Sequence, residues 1–295
     1  MKIKIPATSA NLGPGFDSLG VALKLYNEVN IKKQKFTSIT IKGENIPRYF
    51  YSKRNYFIKV FDETYKKLTG TKENFKFEFI NNIPFSRGLG SSSAVIVGAI
   101  ASAYEMAGFY PKKETILNEA LVYESHPDNI SPAVYGGFVT SVVEKNSVIS
   151  NKSFIKDDIK AVVVIPNVTM QTKKSRAALS KLHKTSDVVS NLSGAAFITS
   201  CFFSYDYERL KFGSKDRLHE EIRMKNLPEL FKVRELAYKN GALLSTLSGS
   251  GSSFLNIVYK NDAKSLQKIL RDNFGEFRVE IFDFDNEGFD IIEAN

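Results

Sequence analysis

Between residues 75 and 103 the chain changes its hydrophobic period across one short loop, and few folds accommodate that change. Phe75, Phe77 and Phe79 alternate with polar residues, the period-two pattern of a half-buried strand. From Val95 to Ala103 small and aliphatic residues accumulate, as in a buried helix. The join is Ile83-Pro-Phe-Ser-Arg-Gly-Leu-Gly-Ser-Ser-Ser-Ala94, with glycines at 88 and 90 followed by Ser91, Ser92 and Ser93. A strand, a glycine-rich loop and a helix start form an anion site. Glycines let backbone N–H groups approach a phosphate, and the unpaired amides of the first helical turn add positive partial charge. The serines cap that turn, and one could offer its hydroxyl to a phosphate-bound metal. The same residues equally describe a serine cap after a turn that is glycine-rich for its own reasons. The loop is not a Walker A motif, because Ser91 rather than lysine follows Gly90. It is not a dinucleotide fingerprint either, because Ser93 stands where a third glycine would.

Composition narrows the setting. The 295 residues are 43% hydrophobic and 25% charged, which suits one large domain or two medium ones. The longest apolar run, Ala94 to Tyr104, falls short of the roughly 20 residues a bilayer crossing requires. Met1-Lys-Ile-Lys-Ile-Pro6 alternates like a strand and lacks the apolar core of a signal peptide. The single cysteine, Cys201, has no internal disulfide partner, which fits a reducing, cytoplasmic setting. A net charge of +9 suits anionic small molecules. Lysines are scattered, with only short clusters such as Lys32-Lys33 and Lys173-Lys174. No basic run interleaves with aromatics, so neither nucleic acid nor a membrane is expected as a partner.

Taken in order, an opening strand leads into Asn11-Leu-Gly-Pro-Gly-Phe-Asp17, a turn with unusual backbone angles. Asn11 and Asp17 bracket it, either to bond the loop itself or to meet a ligand. Strands are expected at 27–33 and 38–42. A helix begins at its N-cap Asn55, carries Phe57, Val60, Phe61, Thr64 and Leu68 at helical spacing, and closes at Gly70. Beyond the central helix, Pro111 opens another that runs to about Tyr123. Glu124-Ser-His-Pro-Asp-Asn129 then reads as a dense polar loop, and a strand follows near 138–143. His126 has no partner histidine at metal-ligand spacing, so no zinc site is expected. The polar stretch 144–158 reads as the join between two halves. After it the order is strand (161–165), several helices, two strands (243–247 and 253–259), helix (262–273) and strand (278–284). This is the β-α-β-β-α-β order of a ferredoxin-like unit. The loop Leu247-Ser-Gly-Ser-Gly-Ser-Ser253 is a further glycine-serine turn, which a tight hairpin explains without any ligand.

Three segments occur in order: Pro6-Ala-Thr-Ser-Ala-Asn-Leu-Gly-Pro-Gly-Phe-Asp17, Pro84 to Ala94, and Leu247 to Ser253. Together they resemble the three motifs of the GHMP small-molecule kinases, and the first is similar to that of the homoserine kinase family in particular. Glu124 to Asn129, with Pro132 and Gly136-Gly137, resembles the same family. The resemblance implies an α+β protein of two domains. Residues 1–155 would form a ribosomal-protein-S5-like ATP-binding domain, and 156–295 a ferredoxin-like domain. It implies an enzyme that moves the γ-phosphoryl of ATP to the side-chain hydroxyl of L-homoserine in threonine biosynthesis, with Mg2+.

By the same resemblance, Pro84, Arg87, Gly88, Leu89, Gly90, Ser91, Ser92 and Ser93 form the ATP-phosphate loop. Asn55 stands beside the adenine pocket. Ser92 and Glu124 match the magnesium ligands, with Glu119 as the competitor if the alignment slips. Arg176 and Arg223 match the pair that holds the amino-acid carboxylate, and Asn11 and Asp17 lie near its amino group. Thr172 and Gly249 complete the substrate contacts. Asn129 orients the reacting hydroxyl, with His126 and Asp128 as candidate bases. Another kinase of the superfamily, or a non-catalytic binding protein on this scaffold, remains the alternative. A homodimer is one arrangement open to the chain.

Overall fold

The computed structural model describes residues 1–43 and 55–292. The first sheet contains β1 (Lys2–Ala10), β2 (Leu19–Lys33), β3 (Ser38–Gly43) and β4 (Phe75–Asn81). β5 (Phe138–Glu144) and β6 (Ser147–Ser153) extend it from β2. Its helices are α1 (Tyr56–Thr69), α2 (Ser91–Met106), α3 (Lys113–Leu121) and α4 (Pro127–Tyr135). Asn55 caps α1 by accepting a hydrogen bond from the Phe57 amide at 3.0 Å, worth about 1 kcal/mol. Gly70, at φ +72°, ends the helix in the left-handed conformation. The apolar face of α1 then meets the phenylalanine face of β4. Phe61 lies edge-on to Phe75 at 5.0 Å and to Phe77 at 5.2 Å, and Phe57 lies edge-on to Phe79 at 5.1 Å.

Two expectations from sequence fail here. The segment 144–158 is not a join between halves, because β6 pairs antiparallel with β5 across Lys145-Asn146. Both turn residues adopt positive φ, +48° and +66°, as a tight two-residue hairpin turn requires. The polar segment 124–129 is a loop only as far as His126. Pro127 starts α4, so Asp128 and Asn129 stand in a helical first turn, where proline is readily accepted.

The second sheet contains β7 (Ile159–Ile165), β8 (Leu244–Leu247), β9 (Phe254–Tyr259) and β10 (Arg278–Phe282). Its spatial order is β10-β7-β9-β8, antiparallel throughout, as the β-α-β-β-α-β reading requires. Between β7 and β8 run α5 (Thr172–Ala177), α6 (Thr185–Ser204), α7 (Leu210–Gly213), α8 (Glu220–Met224) and α9 (Glu229–Lys239); α10 (Ala263–Asn273) precedes β10. β7 is buried along its whole length, and its alternation divides the interior. Val162 and Val164 pack with Leu230, Val233, Leu266 and Leu270 of α9 and α10. Ala161, Val163 and Ile165 join the core that also holds the first sheet and α6. The last strand, β11 (Asp290–Ile292), returns to pair with β1. Division near residue 155 separates the two sheets apart from this strand. Among the described residues no helix is long and apolar enough to cross a membrane.

Candidate active site

The turn after β1, the loop before α2 and the β8–β9 loop are locked to one another by hydrogen bonds. Thr8 donates its amide to Leu89 O (3.2 Å), Gly249 to Ala10 O (3.1 Å) and Ser253 to Arg87 O (2.9 Å). Ser248 Oγ lies 2.6 Å from Gly88 O and 2.8 Å from Ser9 Oγ. A Cβ on Gly88 would stand 2.1 Å from the Ser248 carbonyl oxygen, so glycine is required there by close approach as well as by its φ of +77°. These loops enclose a cavity of about 310 Å3. Its wall carries Gly88, Gly90, Ser91, Ser92, Ser93, Glu124, His126, Asp128, Asn129, Thr172, Arg176, Arg223, Asn11, Asp17 and Gly249.

At one part of the wall α2 begins. Its N-cap is Gly90 at φ +68°, with no side-chain cap, and the first helical bond runs from Ala94 N to Gly90 O at 2.9 Å. The expected serine cap is therefore absent, because a left-handed glycine turns the chain into the helix instead. Ser91, Ser92 and Ser93 of the first turn line the cavity, and the buried Ser91 Oγ has no partner in the protein. This is the donor arrangement that anions select at a helix start.

Elsewhere the wall is cationic. Asp17, in the left-handed conformation at φ +59°, accepts both terminal nitrogens of Arg176, at 2.8 and 2.6 Å. Asn11 makes this geometry possible: its Oδ1 accepts the Asp17 amide at 3.0 Å and its Nδ2 donates to Gly249 O at 3.1 Å. Arg223, 2% exposed, donates from one terminal nitrogen to Gly249 O (3.0 Å) and to His219 Nδ1 (3.1 Å). Burial, with Arg176 nearby, draws its guanidinium down to about 10, so it stays charged at neutral pH. Phe16 presents its ring to both, 4.8 Å from the Arg176 guanidinium carbon and 5.2 Å from that of Arg223. In both arginines the buried Nε has no acceptor in the protein. Both arginines line the cavity, each held by acceptors of the protein.

The polar segment lies on the same cavity. Asn129 Oδ1 accepts from Thr8 Oγ1 at 2.8 Å, which leaves its amide nitrogen free to donate. Burial, reinforced by Asp17, pushes the Asp128 carboxyl up to about 7. His126 is raised above the usual histidine range by the Glu124 carboxylate and by Asp17, against the effect of burial; each carboxylate oxygen lies 3.8 Å away.

Comparison with known proteins places the chain in a family. The model of the GHMP kinase N-terminal domain matches residues 55–137, and that of the GHMP kinase C-terminal domain matches 207–276. A homoserine kinase of Campylobacter concisus is 60% identical over 100% of both chains, and one of Campylobacter jejuni is 59% identical over 99% of this chain and 100% of its own. The chain belongs to the homoserine kinase family of GHMP kinases. The crystal structure of a homoserine kinase from Cytophaga hutchinsonii superposes with a TM-score of 0.87 at 24% identity, over 99% of this chain and 97% of that one. A Methanococcus jannaschii mevalonate kinase gives 0.71 at 18% identity, over 96% and 98%. At these identities the likeness is one of fold.

Not every residue expected from the homoserine kinase motifs reaches the cavity. Pro84 and Leu89 are buried behind the loop. Arg87 lines the wall, but its guanidinium holds Pro166 O (2.7 Å) and Asn167 Oδ1 (2.6 Å), fixing the loop to the end of β7. Asn55 instead lines a small adjoining cleft with Phe57, Phe79 and Ala94, and Val95 borders both spaces. Glu119 lies off the cavity, where its Oε1 accepts from Tyr104 OH (2.6 Å) and Lys67 Nζ (2.9 Å). Sequence reading missed Phe16, Tyr56, Gln171 and Ser250 in the wall, and His219 behind it. Phe16 lies within the Asn11–Asp17 turn, where nothing local marks an aromatic as facing two guanidiniums. His219 lay four residues before Arg223, a spacing that puts both on one helical face.

Proposed function

We propose that the chain is an ATP-dependent homoserine kinase, which transfers the γ-phosphoryl of ATP to the side-chain hydroxyl of L-homoserine and yields O-phospho-L-homoserine. The observation that carries this reading is one cavity lined both by the start of α2 and by the two arginines, Arg176 and Arg223. A nucleotide triphosphate suits the first, and the carboxylate of an amino acid suits the second. The loop amides would take phosphate oxygens. Asp17 would keep Arg176 in register while itself facing the substrate ammonium, near Asn11. Thr172 and Gly249 would border the same group.

Asn129 would donate its amide to the homoserine hydroxyl oxygen and aim a lone pair at the γ-phosphorus. Phosphoryl transfer through a loose transition state needs positioning and charge neutralisation more than early deprotonation. Asp128, held near 7, accepts a proton at neutral pH more readily than His126, whose carboxylate neighbours favour its protonated form. Ser92 and Glu124, hard oxygen donors on one cavity, fit Mg2+ carried in with the nucleotide. Among the described residues no cluster of three or more His, Cys, Asp or Glu forms a metal cage, which suits a cation coordinated mainly by phosphate and water. Bound there, Mg2+ would neutralise charge on the phosphate oxygens. A reducing cytoplasm fits the buried free Cys201.

The test is ADP release coupled to a reporter, measured with homoserine, shikimate, mevalonate and galactose as acceptors. Homoserine should support the highest kcat/KM. A preference for mevalonate or galactose, neither of which uses an α-carboxylate site, would reject the reading.

A further inference from the structure

The buried side chains behind the arginine pair form a chain of contacts that the reaction outlined above does not use. His219 is fully enclosed. Its Nε2 lies 2.9 Å from Gly13 O in the turn after β1. A carbonyl oxygen only accepts, so Nε2 carries the proton and Nδ1 is an acceptor. That acceptor meets a terminal nitrogen of Arg223 at 3.1 Å. The second hydrogen of the same nitrogen goes to Gly249 O at 3.0 Å. The nitrogen is saturated, which fixes the guanidinium plane and leaves Nε and the other terminal nitrogen as the remaining edge. The His219 ring also lies against Phe16, centroids 4.9 Å apart, on the residue that both arginines face.

We propose that His219 is a positioning residue, which ties the carboxylate-binding Arg223 to the turn after β1 and so sets the amino-acid site. The proposal rests on the kinase reading given above. The surroundings are built to keep the ring in this role. Asp216 braces the turn that leads into α8, which begins one residue after His219, by accepting the amides of Leu218 (3.1 Å), His219 (2.7 Å) and Glu220 (2.8 Å). Asn191 of α6 donates to its other oxygen at 2.7 Å. The charged groups facing the imidazole are Asp216, 3.7 Å from Nε2, Arg223 on the next helical turn, and Asp17 across the loop. Burial outweighs the pull of the carboxylates and draws His219 down to about 4, so the ring is neutral where the enzyme would work. A protonated ring would point a donor at a guanidinium. The order of contacts runs from Gly13 through His219 to Arg223 and Gly249, so the first and third motif loops are registered through one imidazole.

Two substitutions separate the two bonds of the ring. Asparagine places an amide oxygen near the position of Nδ1, and glutamine places an amide nitrogen near that of Nε2. His219→Gln should raise the KM for homoserine about ten-fold or more while the KM for ATP stays within about two-fold, since a hydrogen bond to a charged group is lost. His219→Asn, which keeps the acceptor for Arg223, should restore most of the homoserine KM. Equal changes in both substrates, or no recovery with asparagine, would overturn the proposal. A measurement on the unaltered protein covers a variant that fails to fold. In long-range 15N–1H spectra, one of the three histidines should hold the Nε2–H neutral form from pH 8 to 5 and shift on adding homoserine but not ATP. An Nδ1–H form, a protonated ring, or a shift with ATP alone would overturn it. If the wild-type protein turns over no homoserine, the kinase reading fails instead, and the tautomer result stands apart from it.

Discussion

Gly90→Ala tests the geometry of the phosphate loop most directly. The new methyl would sit 1.9 Å from Thr8 Oγ1, 3.1 Å from Thr8 Cβ and 3.2 Å from Asn129 Oδ1, whereas ordinary contact begins at 3.4 Å. Thr8 is fully buried in β1, and its hydroxyl already holds Asn129. Relief therefore requires the start of α2 to retreat by on the order of 1 Å, or Thr8 to rotate and release Asn129. On the proposed reading either response would misplace a group that positions the transferring phosphoryl, and such a displacement costs about 100-fold in rate, or ~2.7 kcal/mol. The backbone adds its own penalty, about 1 kcal/mol for alanine at a φ of +68°. Gly70 provides the control. Its φ is +72°, yet nothing lies within 4 Å of its added Cβ. Gly70→Ala should lower the melting temperature by about 2–4 °C and leave turnover unchanged. Gly90→Ala should lose about 100-fold in kcat/KM in the ADP-release assay. A Gly90→Ala enzyme within about three-fold of wild type, melting like Gly70→Ala, would refute the reasoning.

Glu124→Ala should lower kcat by about 100-fold and shift the magnesium dependence to higher concentration, with the melting curve little changed; an unaltered magnesium titration would remove Glu124 from the metal. Arg176→Ala and Arg223→Ala should each raise the KM for homoserine by at least about ten-fold and leave that for ATP nearly unchanged, which initial rates against both substrates decide. Asp128 gives a pH test. Its folded value, about 7, lies above the ordinary 3.8, so the native state retains a proton that the unfolded chain has lost. Its contribution to stability is complete below about 4 and is lost as pH rises through 7. Asp128→Asn should therefore raise the melting temperature more at pH 8 than at pH 5, and an equal gain at both would show that the carboxyl is not held neutral.

Much of the fold was legible because its elements carry strong local signals. Asn55 and Gly70 bound α1, and the three phenylalanines of β4 announce the face that α1 covers. Signals failed where a residue type does something its composition does not advertise. Lys145-Asn146 turns a tight hairpin without glycine, so β6 was hidden in what read as a polar join. Pro127 opens a helix inside a segment too polar to suggest one. Gly90 replaces the serine cap that three consecutive serines imply. The return of β11 to β1 is long-range pairing by three residues, and no local pattern encodes it.

The site was legible as residue types but not as a set of bonds, and the difference matters chemically. Asn11 offered two readings, loop bracket or ligand contact. It lies in the cavity wall and joins Asp17 to Gly249, so one side chain serves the loop and borders the ligand space. Arg176 and Asp17 suggested opposite ends of a zwitterion, yet they bind each other. That pairing holds the arginine charge in place against the Phe16 ring, which Arg223 also faces. Two guanidiniums around one phenyl ring repel, and each is fixed by a separate acceptor on a different loop: Asp17 for Arg176, Gly249 and His219 for Arg223. If the two arginines take the substrate carboxylate as proposed, it would meet donors already oriented by the fold, so less of its binding energy would go into ordering them. The motif loops must therefore be in register before the amino acid can bind. A residue such as Gly88, whose added methyl would strike Ser248, then affects homoserine as well as ATP.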